Sequence, residues 1–142
     1  MKYLPKVVIV DIDGTLSKMG DRSPFEWSKV GIDTPNEPIV RLVHLLNGCE
    51  SQYQIIVFTG RDEVCRLETR NWLWEHNIEH IALHMRPLGD MRKDCIVKKE
   101  MFDQNIKDKY EVLFVLDDRD QVVKMWREEL GLTCLQVAPG NF

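Results

Sequence analysis

A chain of 142 residues with 44% hydrophobic and 30% charged residues has the size and composition of one globular domain with a single core. Its net charge of −4 excludes a broadly basic surface for duplex nucleic acid, though not a local basic patch. No apolar run approaches the roughly 20 residues needed to cross a bilayer, and the first residues lack a signal-peptide pattern.

Val7-Val8-Ile9-Val10 is a run of β-branched residues, the pattern of a strand buried on both faces. It stops at Asp11-Ile12-Asp13-Gly14-Thr15. Side chains two apart in an extended chain point the same way, so Asp11 and Asp13 are expected to face one centre, with Gly14 turning the chain. Carboxylates crowded at the end of a buried strand raise each other's pKa, and a divalent cation is the usual offset. Residues 16 to 35 read as irregular, broken by Gly20, Pro24, Gly31 and Pro35, and they carry Lys18 and Arg22.

Asn36-Glu37-Pro38 opens a helix with Ile39, Leu42, Val43 and Leu46 at helical spacing, and Gly48 closes it. Tyr53 to Phe58 reads as the second strand, running into Thr59-Gly60-Arg61. A second helix is expected from about Asp62 to His76. Its apolar stripe is Val64, Leu67, Trp74 and Ile78, and Trp72 and Trp74 are assigned to the core or its rim. A third strand near His80 to Met85 precedes the loop Arg86 to Lys93, and a third helix starting near Asp94 carries Lys98. Val112 to Leu116 is the fourth strand and ends in Asp117-Asp118-Arg119. A fourth helix sets Val122, Val123, Trp126 and Leu130 on one face, Gly131 ends it, and Thr133 to Val137 is the last strand.

Strands alternate with helices and lack a polar face, which specifies an α/β protein with a mainly parallel sheet. Polar residues follow three of the strands, at the edge where such sheets bind ligands. Asp11, Asp13, Thr59, Arg61, Asp117 and Asp118 gather there, with Lys98 arriving from a helix. Carboxylates without clustered His or Cys suit Mg²⁺, and His44, His76, His80 and His84 lack metal spacing. Thr59, read as standing at a helix N-terminus, forms a phosphate seat with Gly60 and Arg61. One carboxylate can attack phosphorus while a second protonates the leaving oxygen and later activates water. A lysine among the acids offsets their repulsion and holds a phosphoryl group. The chemistry indicated is phosphoryl transfer. Arg22 on its own reads as a solvated loop charge, and Arg119 as a helix cap or the partner of a nearby acid. Arg86, Arg92 and Lys93 fit a substrate funnel and a solvated loop equally well. Cys49, Cys65, Cys95 and Cys134 stand singly without C-x-x-C spacing, so structural thiols in a reducing cytoplasm are expected.

Asp11-Ile12-Asp13-Gly14-Thr15, Thr59-Gly60-Arg61, Lys98 and Asp117-Asp118 resemble, in order, the four motifs of the haloacid dehalogenase-like hydrolase superfamily. The resemblance implies a three-layer Rossmann-like fold, with Asp11 as nucleophile and Asp13 as general acid/base. It places Thr59 and Lys98 on the phosphate, and Mg²⁺ on Asp11, the Asp13 main-chain carbonyl and Asp118, with Asp117 in support. The stretches from Asp11 to Arg22, Arg92 to Lys98, Asp117 to Trp126 and Gln136 to Phe142 further resemble the phosphatase domain of phage-type polynucleotide kinase/phosphatase. That likeness brings Arg22, Arg61 and Asp94 into the active site. It implies hydrolysis of 3′-phosphates, and in some contexts 2′,3′-cyclic phosphates, at DNA or RNA ends during repair. No G-x-x-x-x-G-K-[ST] occurs, so a 5′-kinase is not expected in this chain, and a separate kinase or ligase is the implied partner. The competing functions are a phosphatase of a small phosphorylated metabolite and a non-catalytic phosphate-binding module, which would not need Asp13. The loops near 16–34 and 86–93 are too short for a folded cap, so one capless domain is expected, open unless a homo-oligomer covers it.

Overall fold

The apolar runs become the strands of one parallel sheet. The computed structural model describes residues 3–18, 22–23, 25–48 and 53–142; Gly20, Pro24 and Cys49 lie outside the described residues. β1 (Lys6–Val10) leads to a ribbon of β2 (Ser17–Lys18) and β3 (Thr34–Pro35), then to α1 (Glu37–Gly48) and β4 (Gln54–Asp62). The chain continues through α2 (Arg66–Glu75), β5 (Ala82–Arg86), α3 (Asp94–Asn105), β6 (Glu111–Asp117), α4 (Asp120–Lys124) and β7 (Cys134–Gln136). The main sheet has five strands in the order β5-β4-β1-β6-β7, and every neighbouring pair is parallel.

Alternation along these strands sorts the core onto two faces. Val8, Val10, Ile55 and Val57 pack with Val40 and Val43 of α1 and with Trp72 and Leu73 of α2. Val7, Ile9, Ile56 and Phe58 pack with Val97 and Met101 of α3 and with Val123 of α4. The result is helix, sheet and helix in three layers, the expected α/β architecture. From β1 the chain winds outward to β4 and β5, then crosses back to β6 and winds the other way to β7. The winding reverses between β1 and β6, so a crevice opens at their C-terminal ends, where such sheets take ligands.

Three local expectations are corrected. Residues 16 to 35 are not irregular throughout: they hold the β2–β3 ribbon and a 3₁₀ helix, Trp27–Ile32. β4 runs four residues past Phe58, and its pairing with β5 slips between Thr59 and Asp62. Thr59 therefore stands in a strand rather than at a helix N-terminus, and the 3₁₀ turn Glu63–Cys65 separates that strand from α2. The stripe Val64, Leu67 and Trp74 faces out, with Trp74 80% exposed, while Thr69, Trp72 and Leu73 of α2 face in. A polar anchor selects Trp72: its indole N–H donates to the Asp33 carbonyl oxygen at 2.8 Å, as a buried tryptophan requires.

Beyond β7 the chain folds back across the end of β6. The Asp120 N–H donates to the Gly140 carbonyl oxygen at 2.9 Å, and the Gln136 amide nitrogen donates to that of Asp118 at 2.9 Å. The approach is so close that a Cβ on Gly140 would collide with the Asp118 carbonyl oxygen and the Arg119 Cα. This return path places Phe142 beside the crevice.

Candidate active site

The crevice is a cavity of about 510 Å³, lined by Asp11, Asp13, Arg22, Arg61, Asp94 and Asp118, with Gly60 also at its wall. Thr59, Lys98 and Asp117 are fully buried behind that lining. Gly14 makes the turn after β1 at φ +82, a conformation that L side chains avoid. The turn is held by Gly14 N–H to the Ser17 carbonyl oxygen at 2.9 Å and Thr15 N–H to that of Ile12 at 3.0 Å. It brings the Thr15 hydroxyl 3.1 Å from Asp11 Oδ2, to which it donates.

The buried charges fall into two groups. The first is rich in acid. Lys98, one turn into α3 from Asp94, donates to Asp11 Oδ1 at 2.8 Å and to Asp117 Oδ2 at 3.0 Å, and lies 3.7 Å from Asp94. Asp117 also accepts the Trp126 indole N–H at 3.2 Å and the Asp118 N–H at 2.8 Å, so both its oxygens are engaged. The π-helical turn Met125–Glu129, continuing α4, presents that indole. Oxygens of Asp11, Asp117 and Asp118 lie within 4.8 Å of one another. Three carboxylates facing one ammonium leave an excess of two negative charges. Burial, and then the Asp117 charge, push the Asp11 carboxyl well above the ordinary range against the pull of Lys98. Burial raises Asp118 too, against its hydrogen bond with Asp11. Burial disfavours a charged Lys98, yet Asp11, Asp117 and Asp94 outweigh it and hold the ammonium protonated. An all-oxygen donor set with this charge excess fits a hard divalent cation.

The second group is balanced. Arg61 grips Asp13 at both oxygens, Nε to Oδ2 at 3.0 Å and Nη2 to Oδ1 at 2.8 Å, and Arg22 Nη2 reaches Oδ1 at 3.1 Å. Burial alone would raise the Asp13 carboxyl, but the Arg61 hydrogen bonds and the two guanidinium charges carry it below its ordinary value. Both arginines are aimed from behind by Asp33, which takes Arg22 Nε at 2.8 Å and Nη2 at 2.9 Å, and Arg61 Nη2 at 2.9 Å. Arg61 also donates to the Thr69 hydroxyl at 3.2 Å, and its own N–H donates to the Thr59 hydroxyl at 3.1 Å. Sequence reasoning missed Asp33. No motif marks it, and the only available signal was that two buried guanidinia need a further carboxylate.

The rim differs from a dense positive funnel. Arg86 donates to the carbonyl oxygens of Gly60 at 2.8 Å, Asp90 at 3.2 Å and Arg92, and thereby staples its loop. Arg92 is held by Asp90 at 2.6 Å and Glu100 at 2.7 Å. Lys18 and Lys93 make no ion pair among the described residues. Arg119 stands at the N-cap of α4 without a side-chain cap bond, and its side chain lies 3.9 Å from Asp94. Of the histidines, His44 approaches the His76 carbonyl oxygen at 3.0 Å and His84 sits edge-on to Phe58, both packing roles. Cys65, Cys95 and Cys134 are free thiols.

Two outcomes follow from this charge pattern. A carboxyl whose pKa is raised by folding opposes the fold wherever it is ionised. In chelator at neutral pH, Asp11→Asn is therefore expected to melt a few degrees above the parent protein, while Mg²⁺ raises the parent's Tm by more than the variant's. Calorimetry checks this, and a variant that melts lower in chelator contradicts it. Asp33→Ala leaves two buried guanidinia sharing Asp13 as their one carboxylate and is expected to cost about 3–5 kcal/mol, read from the urea midpoint. A loss below about 1 kcal/mol on the same measurement would mean that water or Asp13 replaces the carboxylate.

Residues 5–142 match the family described as the polynucleotide kinase PNKP phosphatase domain. A protein of Autographa californica nuclear polyhedrosis virus, named as a bifunctional polynucleotide kinase/RNA ligase, is 36% identical over 127 residues, 87% of this chain and 18% of that protein. Chains from two structures of a Pnkp1/Rnl/Hen1 complex, one described as an RNA repair complex, are 43% identical with TM-scores of 0.93 and 0.94. Those matches cover 98% of this chain and 44% and 48% of theirs. The HAD domain of the effector protein Lem4 from Legionella pneumophila shares the fold, with a TM-score of 0.62 at 13% identity over 99% of this chain and 89% of that one. The chain thus spans less than half the length of its polynucleotide-kinase relatives. Matched in family and in fold from Pro5 onward, it belongs to the family of polynucleotide kinase PNKP phosphatase domains.

Proposed function

We propose that the chain is a polynucleotide 3′-phosphatase that works through an aspartyl-phosphate in nucleic-acid end repair. The observation that carries this reading is the split of buried charge at one strand-end crevice, within a chain of this family. Asp11 sits among acids and Lys98, while Asp13, two residues on, sits among arginines.

Asp11 attacks the phosphorus of the terminal phosphate, and the bond from phosphorus to the 3′-oxygen breaks. Asp13 gives that oxygen its proton and leaves a 3′-hydroxyl. Asp13 then takes a proton from water, whose oxygen attacks the aspartyl-phosphate, so inorganic phosphate departs and Asp11 is regenerated. Lys98 fixes one Asp11 oxygen at 2.8 Å and so orients the other. Arg22 and Arg61 favour ionised Asp13, which suits the second half of the reaction. For the first half, anionic phosphate oxygens compete for the same guanidinia, loosening their hold on Asp13 so that it can carry a proton. Thr59, Gly60 and Lys98 complete the phosphate seat, and Asp94 supports it through Lys98, Arg86 and Arg119.

Asp11, Asp118 and the Asp13 carbonyl would hold Mg²⁺, with Asp117 orienting them. When bound, the ion supplies the counter-charge that the acid group lacks and withdraws charge from the phosphoryl oxygens. We read the chain as one capless domain, bordered at the cavity by Phe25, Trp27 and the loop to Lys93. A separate kinase or ligase as partner accords with the names of the longer relatives. Free thiols are in keeping with a cytoplasmic location, and no helix of the described residues is long and apolar enough to cross a membrane.

Phosphate release from a 3′-phosphorylated oligonucleotide, set against mononucleotides and sugar phosphates, tests the reading. The oligonucleotide is expected to be preferred; sugar phosphates turned over as well would make the protein a metabolite phosphatase. Asp13→Asn is expected to slow the oligonucleotide by about 10²–10⁴-fold and nitrophenyl phosphate far less, because nitrophenolate leaves without a proton. Equal losses on both would remove Asp13 from the acid role.

A further inference from the structure

Six positive side chains line the cavity, and five of them are already engaged. Arg22 and Arg61, at its floor, hold Asp13 and Asp33 and would meet the terminal phosphate in the proposed reaction. Arg86 is bound to the carbonyl oxygens of Gly60 and its own loop, and Arg92 to Asp90 and Glu100. Arg119 donates to the Phe142 carbonyl oxygen at 2.8 Å and lies 3.9 Å from Asp94. The sixth is Lys93. Its ammonium has no carboxylate or carbonyl partner among the described residues.

The side chain of Lys93 is exposed, but the main chain that carries it is fixed. Its carbonyl oxygen accepts the Ile96 and Val97 N–H groups at 3.0 and 3.1 Å, at the start of α3. On one side, Arg86 holds the Arg92 carbonyl oxygen. On the other, Asp94 lies so close to Gly60 that a Cβ on the glycine would collide with its carboxylate. Lys93 is therefore rooted one residue from the wall of the phosphate seat, with a free ammonium in the same cavity.

We infer that Lys93 takes the first internucleotide phosphate behind the 3′-phosphate, and that the site recognises this one backbone charge and no others. A lysine binds phosphate as a point charge on a flexible stem, so it requires no particular base or sugar. A second backbone phosphate would find only cations already engaged with carboxylates and carbonyl oxygens. The unit recognised is then a dinucleotide end. This inference rests on the polynucleotide reading above.

The test measures KM for a mononucleotide 3′-phosphate and for 3′-phosphorylated di-, tri- and hexanucleotides, with glycerol phosphate alongside. A dinucleotide with an uncharged methylphosphonate linkage completes the set. The ordinary dinucleotide is expected to have a KM about tenfold below that of the mononucleotide, with no further fall at greater length. The methylphosphonate should lose that advantage. Raising salt from about 50 to about 200 mM should shrink it about two- to threefold, the response of one phosphate contact. Lys93→Gln should bring the two KM values together, and Lys93→Arg should keep them apart. Lys18→Gln, at a lysine outside the cavity lining, should leave the difference in place. Lys93 is exposed, so its variants fold. Equal KM values for mononucleotide and dinucleotide, or an advantage that survives the neutral linkage or Lys93→Gln, would overturn the inference. So would a KM that keeps falling up to the hexanucleotide. Each of these leaves the phosphatase reading intact. Turnover of glycerol phosphate with no 3′-phosphorylated nucleotide cleaved would overturn both.

Discussion

A single buried ammonium ties together the two strand ends on which the chemistry rests. Lys98 bonds Asp11 at the end of β1 and Asp117 at the end of β6, across the point where the winding of the sheet reverses. Without it, buried carboxylates would face one another with nothing of opposite sign, and each buried ion costs several kcal/mol. The direction of that ammonium is set by packing. Val97 and Met101, its neighbours on α3, are buried against Ile9, Phe58 and Trp126, so the same contacts that cover one face of the sheet aim Lys98 at the acids.

Asp33 plays the corresponding part on the other side. Arg22 lies outside every helix and strand of the described residues, and a long side chain so placed would ordinarily remain solvated. Here it is buried, because Asp33, at the end of a 3₁₀ helix, takes two of its nitrogens and one from Arg61. The Asp33 carbonyl in turn accepts the Trp72 indole, so α2 reaches the arginines through one residue. Two acids and two guanidinia neutralise each other without an added ion. The first group does not, and this difference makes one side of the cavity, and not the other, suited to a cation.

What the sequence made legible was whatever depends on local pattern. Unbroken β-branched runs predict buried parallel strands, polar residues at their ends predict the crevice, and Asp11, Asp13, Lys98 and Asp118 meet there. What it concealed depends on tertiary partners. Thr59 reads as standing at a helix N-terminus because the apolar run stops at Phe58, whereas continued pairing with β5 keeps it in a strand. Val64, Leu67 and Trp74 have helical spacing as good as that of the inward face, and the choice between Trp72 and Trp74 was made by a carbonyl 39 residues away in sequence. Arg86 and Arg92 fit a funnel and a solvated loop equally well until their acceptors are seen. Asp33 is a lone acid between breakers, and only folding shows what it holds.

Asp11 and Asp13 are one residue type, two positions apart, yet their surroundings push them in opposite directions. Such separation of paired acids is the mark of a division of roles. In the proposed reaction, however, each residue's surroundings push it away from its role, since a nucleophile should be ionised and an acid should hold a proton. The correction comes from what the reaction brings. A divalent cation answers the excess of negative charge around Asp11, and the substrate's phosphate answers the guanidinia around Asp13. Neither correction is supplied by the protein's own side chains, because Lys98 is already shared among Asp11, Asp117 and Asp94, and Arg61 is bound at Asp13, Asp33 and Thr69. In the proposed reaction the site would be competent when ion and phosphate are both seated, the condition under which an aspartyl-phosphate has a substrate to come from.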